Sequence, residues 1–285
     1  MKPRAHQTTI RELVAVYIAV FSISMGWGVV TPIIPLYARS LGASYVGIGL
    51  VGASYAVVYM TLTIPSGKLS DRIGRRVVIA ASAFLSGVAS ILYLLAWSVN
   101  HLILIRAIEG MGWALFWPSI EALTTEISGP PSAGKAMGLS TASYGFGSMI
   151  GGFLGGLMVT YFDFSATFVL YFALSVVTAL LTVVIREERS SKRSFKAVGT
   201  SSTQPLKWNM ATLVLACAVS VAYSFVLGIV FTLFPVYAEG LGMEPFRIGV
   251  LFATFWFGRI ISFICAGRFS DKLGRKAVLA SAFVG

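Results

Sequence analysis

The sequence predicts an all-α integral membrane protein with two related units in tandem, and three observations predict it. The 285-residue chain is 56% hydrophobic and only 12% charged, where ordinary soluble domains carry about 25% charged residues. Eight apolar runs are each long enough to cross a hydrocarbon core of about 30 Å, which takes roughly 20 helical residues. The stretch Gly67 to Arg76, GKLSDRIGRR, is written again two hundred residues later as GRFSDKLGRK, Gly267 to Lys276. The same shift lays Pro35 on Pro235, Tyr37 on Tyr237, Leu41-Gly42 on Leu241-Gly242, Ile48-Gly49 on Ile248-Gly249 and Asp71 on Asp271 without a gap. Membrane proteins built from parallel halves show a period of this size.

The spans are expected near Leu13 to Leu36, Val46 to Ser66, Val77 to Trp97, Leu102 to Leu123, Ala136 to Thr160, Ser165 to Ile185, Met210 to Val236 and Ile248 to Ala266. A ninth run opens at Ala277 and reaches only Gly285, too short to cross. The first run is too long, and too close to the second, to read as a removable leader. Of the 22 Lys and Arg, 18 lie in the N-terminus or in alternate connections, while the opposite connections hold only Arg39 and Arg247. That asymmetry places the N-terminus and both copies of the repeated motif in the cytoplasm. Arg106 and Arg259 are left at membrane depth.

Between Arg186 and Asn209 the chain turns polar, Ser-rich and basic, the one linker-like stretch it contains. This divides an N-terminal six-helix bundle, residues 1–185, from a partial second bundle, residues 210–285, with 186–209 as a cytoplasmic linker. The cations of the linker suit anionic lipid headgroups, or simply a solvated loop obeying the positive-inside bias.

Several functions are disfavoured by position. The net charge of +11 does not read as a nucleic-acid surface, because the cations cluster between apolar runs rather than along one face of a soluble domain. Cys217 and Cys265 lie inside apolar runs and read as core residues rather than a disulfide framework. His6 and His101 stand apart, so no metal-ligand spacing exists. Gly47-Ile-Gly49-Leu-Val-Gly52 matches a dinucleotide fingerprint, but no strand precedes it and a membrane span follows. No nucleophile, base or metal set converges, so neither an enzyme nor a cofactor is expected.

The doubled G-x-x-x-D-x-x-G-R-[RK] stretch after the second and eighth spans, Gly67, Asp71, Gly74, Arg75 and Arg76 with Gly267, Asp271, Gly274, Arg275 and Lys276, resembles the signature loop of the major facilitator superfamily of secondary transporters. Arg106-Ala-Ile-Glu109-Gly110-Met-Gly112 in the fourth span is similar to that family's second motif, with Glu109 where Gln is usual. In the fifth span Gly138, Gly147, Gly151, Gly152, Gly155 and Gly156 resemble the antiporter-associated motif, with Gly152 in place of its Pro. The resemblance covers the whole chain and implies twelve helices, a plasma-membrane location and no cofactor, whereas the chain supplies eight spans and a ninth start. It also implies that the signature loop is a conformational latch, its Asp docking on a helix of the opposite half. For Asp71 the implied partner is an eleventh helix; for Asp271 it is the fifth.

Read from their own chemistry, these constellations leave choices open. Asp71 sits where a turn brings the second span into the third, with Gly67 and Gly74 permitting close approach and Arg75 in reach, and the charges either latch the fold or only set its topology. Arg106 and Glu109 are one turn apart at i and i+3, so they pair either as a proton-coupling element or as a salt bridge that pins the fourth helix. The fifth-span glycines recur on helical faces and let other helices approach, a pliable seam on which two halves rock. Arg259, among Phe255, Trp256 and Phe257, calls for an anionic substrate, an aromatic face or a lipid-facing snorkel. Trp27, Tyr55, Tyr59, Trp113 and Trp117 either line a central cavity for an aromatic ligand or serve as core and interface belts. The expected function is proton-coupled secondary transport of a small solute, most plainly its export, with lipid as surroundings. The alternatives are a fragment that only packs with a partner and a membrane sensor that binds without flux.

Overall fold

The apolar runs fold as helices, and Gly, Pro, Ser and Asp punctuate them. The computed structural model describes residues 2–129, 132–185 and 210–273, without the side chains of 2–9, 211–213, 215–216 and 263–273. Ten helices follow in order: α1 (Lys2–Val30), α2 (Ile33–Ser40), α3 (Tyr45–Ile73), α4 (Arg75–Leu94), α5 (Val99–Ser128), α6 (Ala133–Tyr161), α7 (Phe164–Val184), α8 (Met210–Thr232), α9 (Phe234–Gly240) and α10 (Pro245–Leu273). Among the described residues there is no strand. Among the described residues six stretches are long and apolar enough to cross a membrane: Ile10–Ser40, Tyr45–Ile73, Arg75–Leu94, Ala133–Tyr161, Phe164–Val184 and Cys217–Gly240. The other two long helices, α5 and α10, carry Arg106 and Glu109, and Arg247 and Arg259, within their length.

The first expected span is two helices. Pro32 has no N–H to donate, and Thr31 closes α1 by directing both N and Oγ1 to Trp27 O, at 2.9 and 2.6 Å. The seventh breaks likewise between α8 and α9, with Pro235 in the first turn of α9. The sequence repeat is therefore written in the backbone. Gly42 and Gly242 take φ of 82° and 81°, a left-handed conformation that glycine adopts without steric cost. Behind them Ala43 N and Met243 N reach back to Ala38 O and Ala238 O at 3.0 and 3.1 Å. Ser44 then caps α3 through Gly47 N, and Asp163 caps α7 through Ala166 N.

The charged stretch expected as a loop is mostly helix. α3 runs through Pro65 to Ile73, so Gly67 to Ile73 form its last turns, and Gly74 alone, at φ 105°, turns the chain into α4. Gly67 is not a point of tight approach, since a Cβ there would meet Pro118 Cβ at 3.9 Å. In the second copy Gly267 and Asp271 lie in the backbone of α10, while Gly274, Arg275 and Lys276 lie outside the described residues. So do the linker 186–209 and the start of the ninth run. Cys217 corrects another expectation: it is exposed on apolar α8 rather than packed in a core.

α6 sits between α1 and α10, and its glycines divide between them. A Cβ at Gly147 would lie 2.5 Å from Phe21 O, and Gly151 and Gly155 press equally on Met25 and Val29 of α1. A Cβ at Gly156 would lie 2.5 Å from Pro245 O and 2.8 Å from Gly249 Cα of α10, and one at Gly152 3.2 Å from Phe252 Cβ. Backbones this close leave no room for a larger side chain on either face. Gly138 differs, with nothing among the described residues within 4 Å. Gly151→Val is expected to destabilise the protein by about 1–3 kcal/mol or more through overpacking, and Gly138→Val to leave it near wild type. Thermal unfolding of the two variants in detergent checks the contrast.

Candidate functional site

Ionisable residues at membrane depth are costly and face the protein interior, and α5 gathers two of them on its inner face. Glu109 is fully buried. Arg106 Nη1 donates to Glu109 Oε2 at 2.7 Å. Tyr93 of α4 donates its hydroxyl to the same oxygen at 2.6 Å, and Tyr171 of α7 donates to Oε1 at 3.3 Å. Opposite, the guanidinium carbon of Arg106 stands 4.7 Å from the ring centroid of Tyr55 on α3. Three other helices thus each contribute one tyrosine to one ion pair. Arg106 Nε has no acceptor among the described residues, so the guanidinium keeps one donor unengaged.

One turn along the same face, Trp113 begins an aromatic cluster that joins the two units. Trp27 lies 5.5 Å from Trp113, 5.7 Å from Phe231 and 6.2 Å from Trp256 by ring centroids. Tyr144 of α6 bridges from Trp117 at 5.0 Å to Trp256 at 4.9 Å, edge-on to both. Arg259 of α10 stacks 4.5 Å from the Trp256 centroid and donates to Tyr223 Oη at 2.7 Å. Of the three surroundings open to Arg259, the aromatic one is present.

Beyond Trp117 lies a cavity of about 600 Å³ between α3, α5 and α6, lined by Tyr59, Trp117, Glu121, Thr141 and Tyr144 among others. At the end of the bundle next to it, Arg75 Nη2 bridges Asp71 Oδ1 at 2.9 Å and Glu126 Oε1 at 2.7 Å. Its Nε adds a second bond to Glu126 at 2.8 Å. The corner between α3 and α4 is therefore tied to the last turn of α5.

The Major Facilitator Superfamily family model matches residues 16–285. The chain belongs to this superfamily. It is 24% identical over 268 residues to the quinolone resistance protein NorA of Staphylococcus aureus, an alignment covering 89% of this chain and 68% of that protein. An MFS-type transporter of Methanocaldococcus jannaschii is 26% identical over 178 residues, 62% of this chain and 46% of the relative. Among solved structures, a bacterial homologue of the human lysosomal transporter Spinster, inward-facing and unoccupied, aligns with a TM-score of 0.67 at 16% identity. That match covers 97% of this chain and 64% of the other, so the chain spans about two thirds of the length of that protein and of NorA. At this identity the structural likeness shows the fold.

The superfamily fold brings the expected residues together unevenly. Arg106, Glu109 and Tyr55 share one cluster; Trp27 and Trp113 are buried in the aromatic cluster; Tyr59 and Trp117 line the cavity. Asp71 and Arg75 pair, while the side chain of Asp271 lies outside the described residues. Sequence reasoning named Trp256 only as a neighbour of Arg259, and it missed Glu126, Tyr93, Tyr171 and Tyr144. Glu126 had a signal, being an acidic residue at the motif end of α5. The tyrosines had none, because nothing local distinguishes a tyrosine that meets a carboxylate from one in an interface belt.

Losing one partner of a buried pair costs more than losing both. Arg106→Gln alone is expected to destabilise by about 3–5 kcal/mol, and the Arg106→Gln/Glu109→Gln double variant to recover a large part of that loss. Thermal unfolding of the two singles and the double gives the coupling; simple additivity would show that the pair does not act as one.

Proposed function

We propose that the chain is a secondary transporter that moves a small solute across the plasma membrane by alternating access and exports it in exchange for protons. Glu109 carries this reading: a fully buried carboxylate, paired with Arg106 and wrapped by tyrosines from two other helices, inside a transporter-family fold. A proton arriving at Glu109 neutralises the carboxylate and releases Arg106 from its charge partner. The released guanidinium then biases how α5 sits against α3, α4 and α7. Deprotonation restores the pair, so proton occupancy and conformation are linked.

The glycine seam of α6 supports rigid-body rocking, because α1 and α10 bear on separate faces of one helix. Asp71, Arg75 and Glu126 tie α3, α4 and α5 together at the motif end, so that this end of the first unit moves as one body. At the opposite end Phe246 N donates to Thr160 Oγ1 at 2.9 Å and α2 packs against α9, which supports an arrangement closed on that side. With the charge asymmetry setting the N-terminus in the cytoplasm, the closed side is the outer one. A relative named for resistance to a drug supports export as the direction.

The test is ethidium efflux from proteoliposomes driven by an imposed pH gradient. The chain is expected to move the dye, and Glu109→Gln to abolish the pH-driven component, because an amide at this position cannot take up the proton. Unchanged pH-driven efflux in Glu109→Gln would refute the coupling role. Ligand binding with no flux under any gradient would support the sensor reading instead.

A further inference from the structure

Resting on the transport reading above, we propose that Tyr37 is a positioning residue that carries the protonation state of Glu109 to the outer gate between α2 and α9. The Tyr93 hydroxyl that donates to Glu109 belongs to the last turn of α4. The same turn holds α2: Tyr37 Oη donates to Ala96 O at 2.8 Å and lies 3.4 Å from Tyr93 O. The rings repeat the connection. Tyr93 stacks on Phe168 of α7 at 5.0 Å and 24°, Phe168 meets Tyr37 at 5.3 Å, and Phe164 meets Tyr37 at 5.1 Å. Tyr93 and Phe168 are buried, so in a close-packed interior neither ring shifts without moving its neighbour.

α2 is a separate piece of the first span, joined to α1 through Thr31 and Pro32, where the helical ladder is interrupted and a hinge can turn. It packs on α9 of the second unit as well as on α3 and α6 of its own, and the Tyr37 bond decides how it stands against α4. While Glu109 is ionised, Tyr93 donates a charge-assisted bond, about twice as strong as a neutral one, and the end of α4, Phe168 and Tyr37 are held in register. A proton on Glu109 weakens that bond, slackens the end of α4 and lets α2 swing away from α9. The groups facing the ion pair are Tyr55 of α3, Tyr93 of α4 and Tyr171 of α7. α1 and α6 bring Trp27 and Tyr144 to α5 further along, at Trp113 and Trp117. Of these groups Tyr93 is the one that also belongs to the turn holding α2.

The experiment is double electron–electron resonance on the full chain in nanodiscs at one fixed alkaline pH. Spin labels go on Ser40→Cys and Glu239→Cys, exposed residues near the C-terminal ends of α2 and α9, with Cys217→Ala and Cys265→Ala removing the native thiols. The ratio of long to short distances reads the gate. Glu109→Gln is expected to raise that ratio about fivefold, the difference between a charged and a neutral acceptor. Tyr37→Phe keeps the ring and loses the hydroxyl, and in that background Glu109→Gln is expected to change the ratio by less than about twofold. With Glu109 intact, lowering the pH is expected to give the same rise, and Tyr37→Phe to remove it. A merely structural Tyr37 would shift the ratio by itself and leave the response to Glu109→Gln and to pH unchanged, which would overturn the proposal, as would a ratio that does not rise in Glu109→Gln. Equal responses in both backgrounds together with lost pH-driven efflux in Glu109→Gln would sink this link and leave the transport reading standing. A response that vanishes with the Tyr37 hydroxyl, in a chain that moves no solute, would do the reverse.

Discussion

Burying a charged side chain away from water costs several kcal/mol per ion even after relaxation, and the Arg106–Glu109 pair sets that cost at the centre of α5. What offsets it is specific. Charge-assisted bonds from Arg106 and Tyr93 reach one carboxylate oxygen, Tyr171 reaches the other, and the Tyr55 ring faces the guanidinium. Each compensating group comes from a different helix, so α3 and α4 must stand beside α5, and α7 near enough for Tyr171 to reach Glu109, for the pair to be tolerable. In a membrane, where apolar side chains gain little by leaving lipid for one another, such polar demands and close backbone packing position helices more than hydrophobicity does. The first unit is arranged around α5 for that reason.

Close packing does the complementary work on the other side. α6 meets α1 through Gly147, Gly151 and Gly155 and meets α10 through Gly152 and Gly156, where Gly249 answers from the second unit. One helix therefore belongs to the core of its own unit and to the seam with the next. The aromatic cluster of Trp27, Trp113, Tyr144, Phe231 and Trp256 lies along the same seam. Edge-to-face contacts among rings tolerate small rotations better than interlocked aliphatic packing, because several offset geometries have similar energies. A seam of glycines and rings suits the rocking proposed for the two units.

The fold was legible in the sequence because its signals are local. Span length, charge asymmetry and the repeat at two hundred residues each depend on the chain alone, and the matched turns at Gly42 and Gly242 carry that repeat into the backbone. The extent of α3 was misread because charged residues at a helix end look like a loop, although only Gly74 takes a conformation that stops the helix. The i, i+3 spacing put Arg106 beside Glu109 correctly, since a helical turn is enough to decide it. Tyr93 and Tyr171 were invisible because they reach Glu109 across 16 and 62 residues of sequence, and no periodicity encodes a tertiary neighbour.

The same limit governs the repeated elements themselves. α3 and α10 are repeat-mates with the same bounds after a shift of two hundred, and Gly49 corresponds to Gly249. Gly249 is pressed against Gly152 O and Gly156 Cα, while nothing among the described residues lies within 4 Å of a Cβ at Gly49. A repeated local pattern thus gives the two helices the same bounds but not the same surroundings. The carboxylates of α5 make the same point within one helix. Glu109 and Glu121 are twelve residues and about 18 Å of helix rise apart, one enclosed by an arginine and two tyrosines, the other exposed in a cavity wall. A carboxylate whose partners are all supplied by the protein can respond only to a proton or to a rearrangement of those partners. One that stands exposed in a cavity wall is open to solvent and to groups from outside the chain. What each carboxylate can do follows from what surrounds it, which is why the two have to be read from the folded chain.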